Sequence, residues 1–348
     1  MSQVRIAVAG AGLIGKRHIE EIDASDSAVL AAIVDPGPSG PEQAKQYGVP
    51  LYPSLNELFS KSKPDGIILA TPNRMHVDGG LECVAAGVPV LVEKPIGNSV
   101  ESATRLVEAG EKVGVPVLTG HHRNYSPITT KVRAIIQSGA LGTLVGVTGT
   151  ALFYKPDDYF EVGGGWRRKH GGGPILLNLT HEVNHLLSLL GDIDTVIART
   201  SDSTRGFPVE DTSAMIFCFA NGALGTFLLS DTAASARSWE QTSRENTSYA
   251  SYDDEDCYHI AGTQGSLSVP TMRMKTYDGA RSWWEPFTTS TESVERSDPL
   301  ANQVKHFAEV ILGEAEPICS GRDGLKTMKV VDAVVESAST GRPVTIAN

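Results

Sequence analysis

The chain has 348 residues, 41% of them hydrophobic and 20% charged, with 35 glycines and a formal net charge of −11. That length predicts two domains and a sizeable core, and the acidic balance argues against a nucleic-acid footprint or an affinity for anionic membrane, leaving a small molecule as the expected partner. Cys83, Cys218, Cys257 and Cys319 form no CxxC pair, so neither a zinc knuckle nor a disulfide framework is indicated; no apolar run reaches the length of a membrane span, no signal peptide precedes the first strand pattern, and a cytoplasmic protein is expected.

Val4-Arg5-Ile6-Ala7-Val8-Ala9 reads as a strand running into Gly10-Ala11-Gly12-Leu13-Ile14-Gly15, and a helix follows with Ile14, Ile19 and Ile22 on one face. This is a dinucleotide-binding fingerprint in the context it needs. Gly10 permits the tight turn, Gly12 lets the backbone approach a pyrophosphate, and Gly15 lets the helix pack close to the strand, its amino end facing the phosphates. Gly10, Gly12, Leu13, Ile14 and Gly15 are therefore cofactor-binding candidates. A second strand, residues 29–34, ends in Asp35, where an acid can bind the adenosine ribose hydroxyls. Asp35 would repel a 2′-phosphate and no arginine follows it closely, so NAD is expected rather than NADP.

Further strands, one over 66–73 that ends in a polar turn, one over 88–92 and one over 115–120, alternate with helices near 77–86 and 100–113, the pattern of a doubly wound parallel sheet. Thr71, Pro72, Asn73, His76, Glu93 and Lys94 then fall at its carboxyl edge, where open α/β sheets bind ligands. Lys94, closing the apolar run Val88-Pro89-Val90-Leu91-Val92 before Pro95, is the first active-site candidate. Its plainer reading is a lysine snorkelling from a strand end. His76 is either a ligand-edge residue or a first-turn helix residue with no role. Glu93 either orients Lys94 or makes a structural ion pair with it.

Beyond about residue 123 few helices separate the strand patterns at 146–154, 214–219 and 222–229, so an antiparallel sheet is predicted. Residues 163–173 form a glycine-rich basic loop that either meets an anionic substrate group or the cofactor or is simply solvated. A helix over 175–190 carries Asn178, His181 and His185 near one line, with Asn184 adjacent. A polar stripe on an apolar helix needs partners, and a substrate can provide them. His181-Glu182-Val183-Asn184-His185 also matches HExxH, but no third ligand follows at a suitable position. No metal is therefore expected.

The chain resembles the glucose-fructose oxidoreductase, inositol dehydrogenase and MocA family of nicotinamide-dependent oxidoreductases. The matching pieces are the 10–15 turn, Ala70-Thr71-Pro72-Asn73 with His76, Glu93-Lys94-Pro95, Gly120-His121-His122-Arg123, Gly171-Gly172-Gly173-Pro174 through His181, and Gly262-Thr263-Gln264-Gly265-Ser266-Leu267. The resemblance implies an α/β Rossmann domain, 1–122, and an α+β domain, 123–348, with a large, mostly antiparallel sheet for substrate binding and for a homodimer or homotetramer. The carboxyl-terminal helix is expected to pack back on the first domain.

The same resemblance makes Lys94 and His181 the catalytic pair and Pro95 the site of a cis bond. Trp166 and Arg167 match the family pattern and, with Tyr154, are substrate-pocket candidates on that ground. Many relatives carry aspartates where this chain has Leu177 and Asn184, which leaves open whether Asn178 or Asn184 takes over their role. The activity it implies is hydride transfer between NAD and a secondary alcohol of a cyclic polyol or sugar, with Lys94 and His181 handling the hydroxyl proton. The alternatives are a dehydrogenase of an aromatic, possibly carboxylated cis-dihydrodiol, and a non-catalytic regulator that senses NAD or a sugar.

Overall fold

The computed structural model describes residues 3–162 and 164–347, so Gly163 of the glycine-rich loop lies outside them. The chain divides into two compact units: one holds the chain through Ser126 together with Ser297–Met328, the other Pro127–Arg296 and the chain from Lys329 on.

The first unit alternates strand and helix: β1 (Val4–Ala9), α1 (Leu13–Asp23), β2 (Ala28–Val34), α2 (Ser39–Tyr47), β3 (Leu51–Tyr52) and α3 (Leu55–Lys61). It continues through β4 (Gly66–Leu69), α4 (His76–Ala85), β5 (Val90–Val92), α5 (Val100–Val113) and β6 (Val117–Thr119). All six strands are parallel, in the order β3-β2-β1-β4-β5-β6, as the alternation predicts. Helices cover both faces, which is why the central strands are unbroken apolar runs; Ile67, Ile68, Leu91 and Val92 are fully buried. The helix Pro299–Ile311 joins this unit, packing Val304, Phe307 and Ala308 with Ile19 and Ile22 of α1. Strand order reverses between β1 and β4, and the carboxyl ends of these strands flank the crevice that such sheets use for ligands.

The second unit begins with α6 (Pro127–Gln137) and holds a nine-stranded sheet. Its strands are β7 (Leu144–Leu152), β8 (Ile193–Ser201), β9 (Thr212–Phe219), β10 (Leu224–Ser230) and β11 (Tyr258–Gly262), then β12 (Gly265–Val269), β13 (Arg273–Thr276), β14 (Thr288–Thr291) and β15 (Val344–Thr345). The order is β14-β13-β12-β11-β7-β10-β9-β8-β15, and every pair is antiparallel except β7 with β10. Alternation along β9 and β10 sends Met215, Phe217, Phe227 and Leu229 inward, where they join Val183, Leu186 and Leu190 of α7 (Thr180–Leu190) in one core. Ile216, Leu224 and Leu228 face outward and are exposed. Among the described residues no helix is long and apolar enough to cross a membrane.

Candidate functional site

In the first unit β1 ends at Gly10, whose φ of +92° lies in the region that favours glycine. A Cβ there would sit 2.5 Å from the Ala70 carbonyl oxygen, and one on Gly15 would sit 1.9 Å from the Gly10 carbonyl oxygen. These two glycines therefore bring β1, β4 and α1 into backbone contact. Gly12 is different, since a Cβ on it would meet nothing within 4 Å. The space over Gly12 opens on the start of α1, where no side chain caps the free N–H groups. Leu13 is 91% exposed beside it, and Ile14 is half-buried.

Asp35 follows β2 and accepts hydrogen bonds from the backbone N–H of Ala11 and of Gly37, each at 2.6 Å. One carboxylate thus ties the turn after β1 to the end of β2, and each oxygen keeps a lone pair for a ribose hydroxyl. Thr71, Pro72 and Asn73 leave β4, and the buried Thr71 hydroxyl oxygen has no hydrogen-bond partner among the described residues. An open approach over Gly12, an uncapped helix start, Asp35 and a waiting hydroxyl fit a dinucleotide.

Lys94 follows β5 at the same carboxyl edge, half-buried, and its bond to Pro95 is cis. Glu93 beside it is buried and accepts a 2.7 Å hydrogen bond from His18 Nε2 and a 3.1 Å bond from the Lys94 backbone N–H. Burial by itself would raise the Glu93 carboxyl; the His18 hydrogen bond and charge, with Lys94 and His122, outweigh it and hold it below the usual range. Glu93 is therefore an anion at neutral pH. His121 is also buried, and desolvation together with the Lys94 charge pushes it down to about 3. His121 is neutral, and the charge beside Lys94 is the carboxylate.

His76 has both ring nitrogens on backbone carbonyls, Nδ1 2.8 Å from Pro95 and Nε2 2.8 Å from Thr71. Its buried ring clamps the β4 and β5 exits together and offers no free nitrogen to a cofactor, unlike the ligand contact expected from its place at the sheet edge.

In the second unit a π-helical turn, Ile175–Leu179, leads into α7 where one continuous helix was expected. Asn178 and His181 are half-buried, whereas Asn184 is buried. His185 departs from the expected substrate role. It is a core residue, 1% exposed, with Nε2 3.0 Å from Thr129 Oγ1 and Nδ1 3.4 Å from the Tyr258 hydroxyl, its ring edge-on to Trp239. Glu182 is buried too and accepts from the Tyr258 hydroxyl. Glu182 and His185 of the HExxH spacing are thus taken up by core packing; among the described residues no group of three or more His, Cys, Asp or Glu could hold a metal. Tyr154 is 57% exposed and lies 5.2 Å from the Arg205 guanidinium, while Arg167 stacks on Trp166 at 5.0 Å and on Tyr159 at 4.4 Å.

The sequence motifs assign no site role to His18 or Lys155, and they include Gly120 only as part of a matching motif. His18 carried a signal, since Ile14, His18 and Ile22 share one helix face and a histidine on an apolar stripe asks for a buried partner. Gly120 lies against the Glu93 carboxylate, which a Cβ would approach to 2.8 Å. Lys155 Nζ donates to Asn178 Oδ1 at 2.7 Å.

Two family models match the chain: an oxidoreductase family with an NAD-binding Rossmann fold over residues 4–121, and the carboxyl-terminal alpha/beta domain of that oxidoreductase family over residues 133–346. The chain is similar to an inositol 2-dehydrogenase of Rhizobium meliloti (strain 1021), 25% identical over 99% of both chains. Among solved structures it is similar to an oxidoreductase from Agrobacterium radiobacter in complex with NAD+, L-tartaric acid and magnesium, with TM-score 0.82 and 23% identity over 99% of this chain and 98% of that one. It is also similar to the WlbA dehydrogenase from Bordetella pertussis in complex with NADH and UDP-GlcNAcA, with TM-score 0.79 and 23% identity over 100% of both.

Proposed function

The chain belongs to the glucose-fructose oxidoreductase, inositol dehydrogenase and MocA family of oxidoreductases, and from that premise we propose that it oxidises a secondary alcohol of a cyclic polyol or sugar with NAD as hydride acceptor. The observation that carries this reading is the position of Lys94, at the carboxyl end of an interior parallel strand beside a buried anionic Glu93 and a neutral His121. In that environment the lysine ammonium is the cation that favours alkoxide character on the substrate oxygen. His181, half-buried on the first turn of α7, takes the hydroxyl proton as general base. Gly12, Asp35 and Thr71 hold the cofactor, and its nicotinamide supplies the hydride chemistry when bound.

The exposed apolar residues Ile216, Leu224 and Leu228 on the outer face of the nine-stranded sheet support a homo-oligomer formed through that face. The activity is tested by following NADH formation with a panel of cyclitols, aldoses and dihydrodiols. Lys94→Ala and His181→Ala should each lower kcat by roughly 10²–10⁴-fold, and unchanged turnover in both variants would sink the mechanism.

A further inference from the structure

β7 and β10 run parallel, so their carboxyl ends lie side by side and carry Lys155 and Asp231 together. The side chains of Lys155, Arg205 and Asp231 are 11%, 6% and 3% exposed. Asp231 Oδ1 accepts from Arg205 Nε at 3.0 Å, and its other oxygen lies 3.7 Å from Lys155 Nζ. Two buried cations thus share one carboxylate. Asp157 also faces Arg205, at 3.7 Å, but its side chain is 91% exposed and water screens it. Asp211 is turned to the backbone N–H of Thr204 and Arg205 and to the Thr212 hydroxyl.

A third cation joins them. Arg167 lies 4.4 Å and Lys155 4.8 Å from the centroid of the same Tyr159 ring. The hydrogen-bond partners of Arg167 are neutral, the carbonyl oxygens of Tyr159 and Val162, and its buried Nε has none among the described residues. Arg167 is thus the cation of this cluster that no carboxylate meets among the described residues, and a half-sheltered guanidinium so placed gains from an anion brought by a ligand.

Several donors of this cluster are left over. Lys155 holds Asn178 Oδ1, so Asn178 has its amide Nδ2 to offer, one turn before His181. Arg167 Nε and the remaining ammonium protons of Lys155 are donors as well. A carboxylate only accepts, so its two oxygens match these donors and take charge-assisted hydrogen bonds from the two cations.

We propose that Lys155, Asn178 and Arg167 form a subsite for a carboxylate on the substrate, so that the preferred alcohols are sugar acids or carboxylated polyols. This deepens the dehydrogenase reading and rests on it for the placing of Asn178 and Arg167 near substrate. Lys155 acts there as a binding and positioning residue, outside the hydride and proton steps.

The test is calorimetric titration of the NAD-loaded full chain with D-glucuronate, D-gluconate, D-glucose and D-glucose 6-phosphate. At least one of the two acids should bind about tenfold or more tighter than D-glucose. Lys155→Met should erase that preference by lowering the affinity for the acid at least about tenfold more than that for D-glucose, while Lys155→Arg restores it. If Lys155→Met lowers the melting temperature so far that it does not fold, Arg167→Gln carries the same comparison. The proposal is overturned if neither acid exceeds D-glucose, if the preference survives both Lys155→Met and Arg167→Gln, or if the phosphate ester binds tighter than both acids. Lys94→Ala separates the two readings: an acid preference in binding judges the subsite, and undiminished turnover in that variant counts against the dehydrogenase mechanism alone.

Discussion

His18 Nε2 lies 2.7 Å from Glu93 Oε1 in the interior of the first unit, a bond between residues 75 positions apart that fixes the carboxylate beside Lys94. Glu93 is 6% exposed and His18 is fully buried. Removing the charge from one member strands the other, and breaking a buried pair costs about 3 kcal/mol. Glu93→Gln should lower the unfolding free energy by that order in denaturant titration, and should also reduce kcat because Lys94 loses its fixed neighbour. A variant with wild-type stability would show that the bond does not hold the chain at the end of β5.

Two glycines of the turn after β1 should separate folding from cofactor binding. Gly15→Ala places a Cβ 1.9 Å from a backbone oxygen and should destabilise the first unit outright. Gly12→Ala meets nothing within 4 Å, so the melting temperature of the unliganded protein should hold within about 2 °C. Its NAD dissociation constant should nevertheless rise at least about tenfold, because the new methyl occupies the approach to the pyrophosphate. Unchanged NAD affinity in Gly12→Ala would refute the placement of the cofactor.

Acid should weaken the fold through His121. Burial and the Lys94 charge lower its folded value from 6.5 to about 3, so the unfolded chain binds the extra proton between those values. The stabilisation is fully present above about pH 6.5 and is lost as pH falls toward 3. Glu93, lowered as well, adds to the same trend only below its ordinary 4.5. Between pH 7 and 5 the unfolding free energy of the wild type should therefore fall more steeply than that of His121→Gln. Parallel slopes in that window would count against a neutral buried His121.

The two histidines of α7 should respond in opposite ways. His185→Ala removes a ring packed on Trp239 and Tyr258 and should cost about 2–4 kcal/mol of stability, with kcat of the folded fraction kept. His181→Ala, at a half-buried position, should leave the melting temperature nearly unchanged and remove activity. Equal activity losses per folded molecule would contradict the division of roles.

Much of the first unit is legible in the chain because its signals are local. Strand, glycine turn and helix follow one another within the first 23 residues, and a parallel strand buried on both faces shows itself as an apolar run such as Val90-Leu91-Val92. The nine-stranded sheet was expected as mostly antiparallel, and it is, but the parallel pairing of β7 with β10 leaves no local mark. Asn178, His181 and His185 look alike as a polar stripe at helical spacing. Which of them faces the core depends on the π-helical turn before α7 and on Thr129, Trp239 and Tyr258, residues far away in sequence.

By itself the amino-acid sequence determined the backbone plan: where strands end, where glycine lets a turn close, and which residues stand at the carboxyl edge of the parallel sheet. Those outcomes follow from steric and burial preferences acting over a few neighbouring residues. Tertiary structure decided which charges meet, pairing Glu93 with His18, making His121 neutral beside Lys94, and gathering Lys155, Asp231 and Arg205 from separate strands and loops. The energy of a charged group is set by its burial and by whatever lies within a few ångströms, and the fold draws those neighbours from distant parts of the chain.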